Sequence, residues 1–441
     1  MMRSLFSGVS GLSSHQTRMD VIGNNIANVN TIAFKSSSVS FSEVFYQTTQ
    51  VASGPNATTG KGGQNAKQIG LGTSVGSIST KVDTEGASQR TDNPFDVKLS
   101  GSGNSFFIVR SNGNTYFTRA GDFTYDASGA LVTQSGANVM GWVTNDQGEI
   151  VKDVVQPLYV KSDEFTYTMP EQTTNLKVSG NINSSSGNFD KGSGTSGADG
   201  DQKGETMTLS FYDNLGYRYQ ATIAVTQVDK YNYHTEVTGV TKEGKAADLT
   251  VTFDHDISFN PTTGLLDGTD SSLDFTITGG ADADSFVKDT IAVDISNLKS
   301  IGDETKFEYI DVAGKGKAVG KMSSVGIQDD GRIIASYSNG DTVVIGQIAT
   351  QSFTNAAGLE KVGTNMYAAT LNSGEFDGVG EDITSAGGSM VSGTIEMSNV
   401  DLASEFTDMI TTQRGFQANS RIITVSDTML EELINLSLIH I

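Results

Sequence analysis

MMRSLFSGVSGLSSHQTRMDVIGNNIANVNTIAFK, residues 1–35, places Leu5, Leu12, Met19 and Ile26 seven residues apart, with Val9, Ile22 and Val29 widening the stripe. That spacing predicts an amphipathic helix, and four Asn between Asn24 and Asn30 supply side chains that end one. The same period returns some 370 residues later, in Leu402, Met409, Phe416, Ile423 and Leu430, supported by Phe406, Ile422, Leu433 and Ile434. Between residues 400 and 441 the only glycine is Gly415 and there is no proline, so a longer helix is expected there.

Everything between these ends reads differently. The chain has 441 residues, 50 of them Gly, only 5 Pro and no Cys, with a net charge of -22. Residues 1–35 carry three basic residues and one acid, and residues 400–441 two basic residues and six acids, so the middle holds nearly all the acidity. Its abundance of turn formers and β-branched residues predicts short strands joined by tight turns. Residues 36–80 read as an extended connector. FFIVRSNGNTYFTR at 106–119 turns at Asn112-Gly113, FTYDASGALVTQ at 123–134 forms a second hairpin, and GRIIASYSNGDTVVIGQI at 331–348 a third around Asn339-Gly340. Strands at 206–213 and 219–228 lie in an insert that also holds a Gly/Ser-rich loop at 184–204.

The expected fold is therefore mainly β with α-helical ends and nested, discontinuous domains. Residues 1–35 and 400–441 form a terminal helical domain and 36–80 a connector. Residues 81–160 and 322–399 build a middle β-domain from two chain segments, and 161–321 an inserted outer β-domain. Two helices so far apart in sequence pair only if the middle folds back on itself.

Chemistry leaves little trace. Four His are scattered at 15, 234, 255 and 440, without a metal-binding spacing. Asp254-His255-Asp256 alternates its side chains across a strand, and Asp267, Asp270, Asp282 and Asp284 lack the order of a calcium loop. GKGKAVGKM at 314–322 fails the phosphate-loop spacing, and strands follow Gly101 and Gly103 where a dinucleotide fingerprint needs a helix. No catalytic, cofactor-binding or metal-binding residue is assigned, and no cofactor is expected. The acidity disfavours nucleic acid and anionic membranes. No apolar run reaches the roughly 20 residues of a spanning helix, and residues 1–16 lack the apolar core of a secretory signal.

The string Asn24-Asn25-Ile26-Ala27-Asn28 followed by Ala33-Phe34-Lys35, together with the matching C-terminal heptads, resembles the bacterial flagellar axial proteins of the rod and hook group. The likeness extends over residues 3–46, 94–143, 325–374 and 415–436, in order. In that family Asn24, Asn25, Ala27, Asn28, Phe34 and Lys35 carry the motif. The resemblance to the hook branch implies a subunit that polymerises into a curved, flexible tube, a universal joint carrying torque from rod to filament. It also implies localisation to the hook, outside the cell, after type III export without a cleaved signal peptide. Implied partners are further copies of the chain in a helical homopolymer, the distal rod protein, the hook cap, the hook–filament junction protein and the flagellar type III export apparatus. Leu5, Leu12, Met19, Ile22, Ile26, Leu402, Phe406, Met409, Phe416, Ile423 and Leu430 are the expected contacts between subunits. The alternatives are a distal rod subunit, which the length of the insert disfavours, and a secreted β-rich adhesin, which leaves the paired heptads unexplained. Residues 437–441, SLIHI, lack the basic ending of such helices and receive no role.

Overall fold

A computed structural model describes residues 2–55, 60–145, 147–183, 205–229, 231–267 and 271–439. The loop at 184–204, Asp270, His440 and Ile441 lie outside these, as do the side chains of residues 435–439.

The chain divides into two compact units. One comprises Met1–Ser162, Val325–Ala335 and Val343–Ile441, and the other Asp163–Ser324 with Ser336–Thr342. The fold is mainly β, closed at both ends of the chain by a long helix.

In the first unit, strands Ser105–Ser111 and Asn114–Thr118 form the hairpin at Asn112-Gly113, both of whose turn residues have positive φ (+51° and +83°). Tyr125 pairs with Leu131 in the second hairpin. The later chain segment returns to the same sheet. Thr350–Ser352 pairs with Ser105–Phe107, and Gly141–Val143 with Gly346–Ile348. Phe106, Ile108, Phe117, Met140, Trp142, Phe353 and Tyr367 pack into one core. The Trp142 indole N–H is shared by the carbonyls of Asp153 and Val379, both at 3.0 Å. Two further ladders tie the C-terminal approach to this unit: Ser389–Ser392 on Val97–Ser100, and Thr394–Glu396 on Ser88–Arg90.

The second unit has two five-stranded sheets around one core. Met207, Leu209 and Phe211 alternate inward along Glu205–Tyr212, as do Ala221, Ile223 and Val225 along Arg218–Asp229. Asn175–Asn181 pairs in parallel with Thr290–Lys299.

The segment read as an extended connector is more ordered than its composition foretold. Ser37–Glu43 pairs antiparallel with Thr73–Thr80, and Tyr46–Gln50 with Lys67–Gly70. Val39 and Phe41 face Ile78 and Val75 on one side, and cross-strand hydroxyl pairs pin the register on the other: Ser38 with Ser79, Ser40 with Ser77 and Ser42 with Ser74, at 2.7–3.2 Å. The first helix ends within the run of asparagines, as that run foretold. It spans Met2–Ala27, and residues 28–34 turn away.

Candidate functional site: a helix pair and its buried anchor

The N-terminal helix, Met2–Ala27, runs antiparallel along the C-terminal helix, Leu402–Ile439. Asn25 meets Glu405 at one end, and Gly8 lies against Asn419 and Ile423 nearer the other. Most of the heptad residues lie outside the seam between them, although Ile423 packs on Gly8. The buried positions are mostly small: Gly8, Gly11 and Ser14 on one side, beside Ile22 and Asn25, and Thr412 and Ser426 on the other. A Cβ at Gly8 would stand 3.3 Å from Ile423 Cγ1 and 3.4 Å from the Asn419 carbonyl oxygen. At Gly415 it would meet the His15 ring at 2.7 Å. That ring packs edge-on against Phe41 at 5.5 Å, and burial followed by the charge of Arg18 holds its pKa below the usual histidine value. Arg18 and Asp408 pair across the seam at 3.1 Å.

Close backbone approach leaves large apolar side chains outside. Of the expected contact residues Ile22 alone is buried. Leu5, Leu12, Met19, Ile26, Met409, Phe416, Ile423 and Leu430 are half-buried, while Leu402 and Phe406 are exposed. Met2, Phe6 (61% accessible), Val9, Ile410, Ile422, Val425, Met429 and Leu433 are exposed as well. For one chain this is an unusual amount of contiguous apolar helix surface in water.

The Asn motif divides into two jobs. Asn28 donates to the Asn24 carbonyl oxygen at 2.9 Å and accepts from Thr31, ending the helix. Buried Asn25 is a cross-link: its amide donates to the Ser37 carbonyl (2.8 Å) and the Glu405 carboxylate (3.0 Å), and its oxygen accepts from the Ser37 N–H (3.0 Å). Asn24 and Ala27 are exposed. Asn25→Ala removes all three bonds and strands a partly buried carboxylate, an expected loss of about 1–3 kcal/mol. It should appear as a lower urea midpoint of the helical circular-dichroism signal.

Lys35 is fully buried, and the reason lies at the far end of the sequence. Its ammonium donates to Glu396 Oε1 (2.7 Å) and the Thr84 carbonyl (2.6 Å). Arg119, also fully buried, donates to Glu396 Oε2 (3.1 Å) and to the carbonyls of Ser102 and Ser105 (2.7 Å each). The Gly86 N–H completes the carboxylate's shell at 2.8 Å. Burial alone would raise the Glu396 carboxyl, but Arg119 and Lys35 hold it below the ordinary glutamate value. Around this centre Ala33, at φ +54°, donates its N–H to the Glu396 carbonyl, while Lys361 covers the Phe34 ring at 4.9 Å and donates to the Lys35 carbonyl. Asn399 binds the Ser36 N–H and the carbonyls of Lys81 and Thr84. Arg119, Glu396 and Asn399 were not legible as site residues, because no local spacing connects them to residue 35.

Elsewhere, His234 sits between Asp256 (2.9 Å) and Asp254 (3.7 Å), each facing a different ring nitrogen, so the three do not converge on one point. Lys242 occupies Asp282 at 2.8 Å. Among the described residues no group of three or more His, Cys, Asp or Glu gathers to hold a metal ion.

A discontinuous β-unit anchors an antiparallel pair of terminal helices that leave apolar residues exposed, the arrangement that the resemblance to flagellar axial structural proteins implies. Three family descriptions match the chain: "Flagella basal body rod protein" over residues 5–35, "Flagellar hook protein FlgE/F/G D1 domain" over 102–183, and "Flagellar basal body rod FlgEFG protein C-terminal" over 391–436. The chain is 36% identical to the flagellar hook protein FlgE of Treponema pallidum, covering 99% of this chain and all of that one, and 36% identical to FlgE of Borreliella burgdorferi with the same coverage. It is 30% identical to the flagellar basal-body rod protein FlgG of Bacillus subtilis, covering 99% of both. The chain belongs to the flagellar hook protein family, and its role is that of a structural hook subunit. The rod relative spans the insert too, so the insert's length, expected to separate hook from rod, does not; the 36% identity to two full-length hook proteins, against 30% to the rod protein, favours hook.

Proposed function

We propose that the chain polymerises through its terminal helices into a curved, flexible tube that carries torque between rod and filament. The observation that carries this reading is the helix pair itself: its closest approaches are made at Gly and Ser positions, while Met2, Phe6, Val9, Leu402, Phe406, Ile410, Val425, Met429 and Leu433 stay exposed. Burying about 25 cal/mol per Å2 of such surface between copies offsets the cost of ordering the helices. Different patches meeting on successive copies give an open helix in place of a closed ring. The rod protein, hook cap and junction protein are the expected neighbours at the ends of the tube. Export by the flagellar type III apparatus is the expected route, with the units folding afterwards. Electron microscopy of polymer grown from purified protein tests the reading. Curved tubes support it, short straight rods favour the distal-rod alternative, and failure to polymerise leaves the adhesin.

The insert is proposed to tune shape without being needed for assembly. Tyr167 and Thr168 pair antiparallel with Lys321 and Gly320, so an Asn-Gly turn replacing residues 169–319 closes a ladder that already exists. The expected product still forms tubes, with curvature altered in negative stain. Tubes of native curvature would remove the insert from the mechanism.

A further inference from the structure

The exposed apolar residues of the two helices fall into separate stripes with different charged neighbours. On the N-terminal helix Met2, Phe6 and Val9 lie on the side opposite Gly8 and Gly11, flanked by Arg3. The C-terminal helix carries two stripes: Leu402, Phe406 and Ile410 early, then, displaced around the helix, Ile422, Val425, Met429 and Leu433, flanked by Glu432.

Charge decides which stripes match. The first turn of the N-terminal helix contains Arg3 and no acid, so that end opposes its own helix dipole, while Glu431 and Glu432 stand about two turns before the end of the C-terminal helix with no Lys or Arg after them. Acids near the early stripe are committed within the chain. Asp401 accepts from the Ala403 N–H, Glu405 from Asn25, and Asp408 pairs with Arg18. Among the described residues neither Arg3 nor Glu432 takes part in an ion pair of its own chain, and both are exposed.

We infer that the Met2–Phe6–Val9 stripe of one subunit packs against the Ile422–Val425–Met429–Leu433 stripe of a second copy, with Arg3 set against Glu432. The inference rests on the polymer reading and specifies its side-to-side contact. Because the two stripes differ and face different ways, the contact is heterologous and leaves the early stripe for another neighbour.

The chain has no Cys, so single thiols report cleanly. Phe6→Cys and Met429→Cys proteins are prepared separately, mixed, polymerised and oxidised. The expected result is a covalent dimer in the mixed polymer and none in mixed monomer at equal concentration. Arg3→Glu and Glu432→Arg should each raise the critical concentration about fivefold, and the two together should restore it. Polymer in which Phe6→Cys links to Phe406→Cys, or to itself, overturns the pairing and leaves the polymer reading intact. Absence of polymer from the unmodified chain overturns both.

Discussion

Replacing Glu396 by alanine should unfold the anchor, because it leaves Lys35 and Arg119 buried without their shared carboxylate. Breaking one partner out of such a group costs about 3–5 kcal/mol, since the remaining charges keep their desolvation penalty. The loss also reaches the N–H groups of Gly86 and Ala33, the first bonded to the Glu396 side chain and the second to a backbone that the side chain positions. The second unit has its own core of Leu209, Phe211, Tyr219, Phe275 and Val293. In urea, Glu396→Ala should therefore lower or abolish the transition of the first unit and leave that of the second in place. Glu396→Gln, which keeps an acceptor oxygen, should lose less. The pH dependence has a fixed sign. Glu396 titrates below the unfolded value, so its contribution is complete above about pH 4.3 and is lost as the pH falls through the lower folded value. A unit that loses no stability on acidification through that window would contradict the assignment.

Gly8→Leu should abolish assembly while preserving helicity. Leucine favours a helix over glycine by roughly 0.8–1 kcal/mol, so the helix itself gains. The seam cannot accept it. With Ile423 and the Asn419 carbonyl already 3.3–3.4 Å from the Cβ position, the remaining carbons fit only if the helices separate, an overpacking cost of about 1–3 kcal/mol. Separation also rotates the outward stripes out of register with their neighbours. The expected variant keeps or increases its far-ultraviolet helical signal and sediments as monomer under conditions where the parent polymerises. Gly8→Ala, whose Cβ makes only tight contacts, should still assemble. Polymer from the leucine variant would show that the seam is not conserved in the assembled state.

The helices and the Asn112-Gly113 hairpin were legible because each leaves a local signal: a seven-residue apolar period or a turn dipeptide. Three features were not. The seam uses Gly8, Gly11 and Gly415, which a hydrophobic period passes over, and of the apolar heptads Ile423 packs on it at Gly8 while most of the others frame it. The ribbon between residues 37 and 80 is held by paired serine hydroxyls, which composition reads as a connector. Lys35 stood out only by resemblance. Its partner lies 361 residues away, and a single Glu among 51 acidic residues carries no mark of burial. Long-range ionic contacts become visible only when the topology is known, and here the topology exists to bring those segments together.

The central claim is that the terminal helices are the assembly element and the β-units are not. Its most direct test is sedimentation with electron microscopy on the full chain beside a chain lacking residues 402–439. The account predicts tubes from the first, and from the second a folded β-rich monomer that forms none at any concentration tested. Tubes from the truncated chain would contradict it.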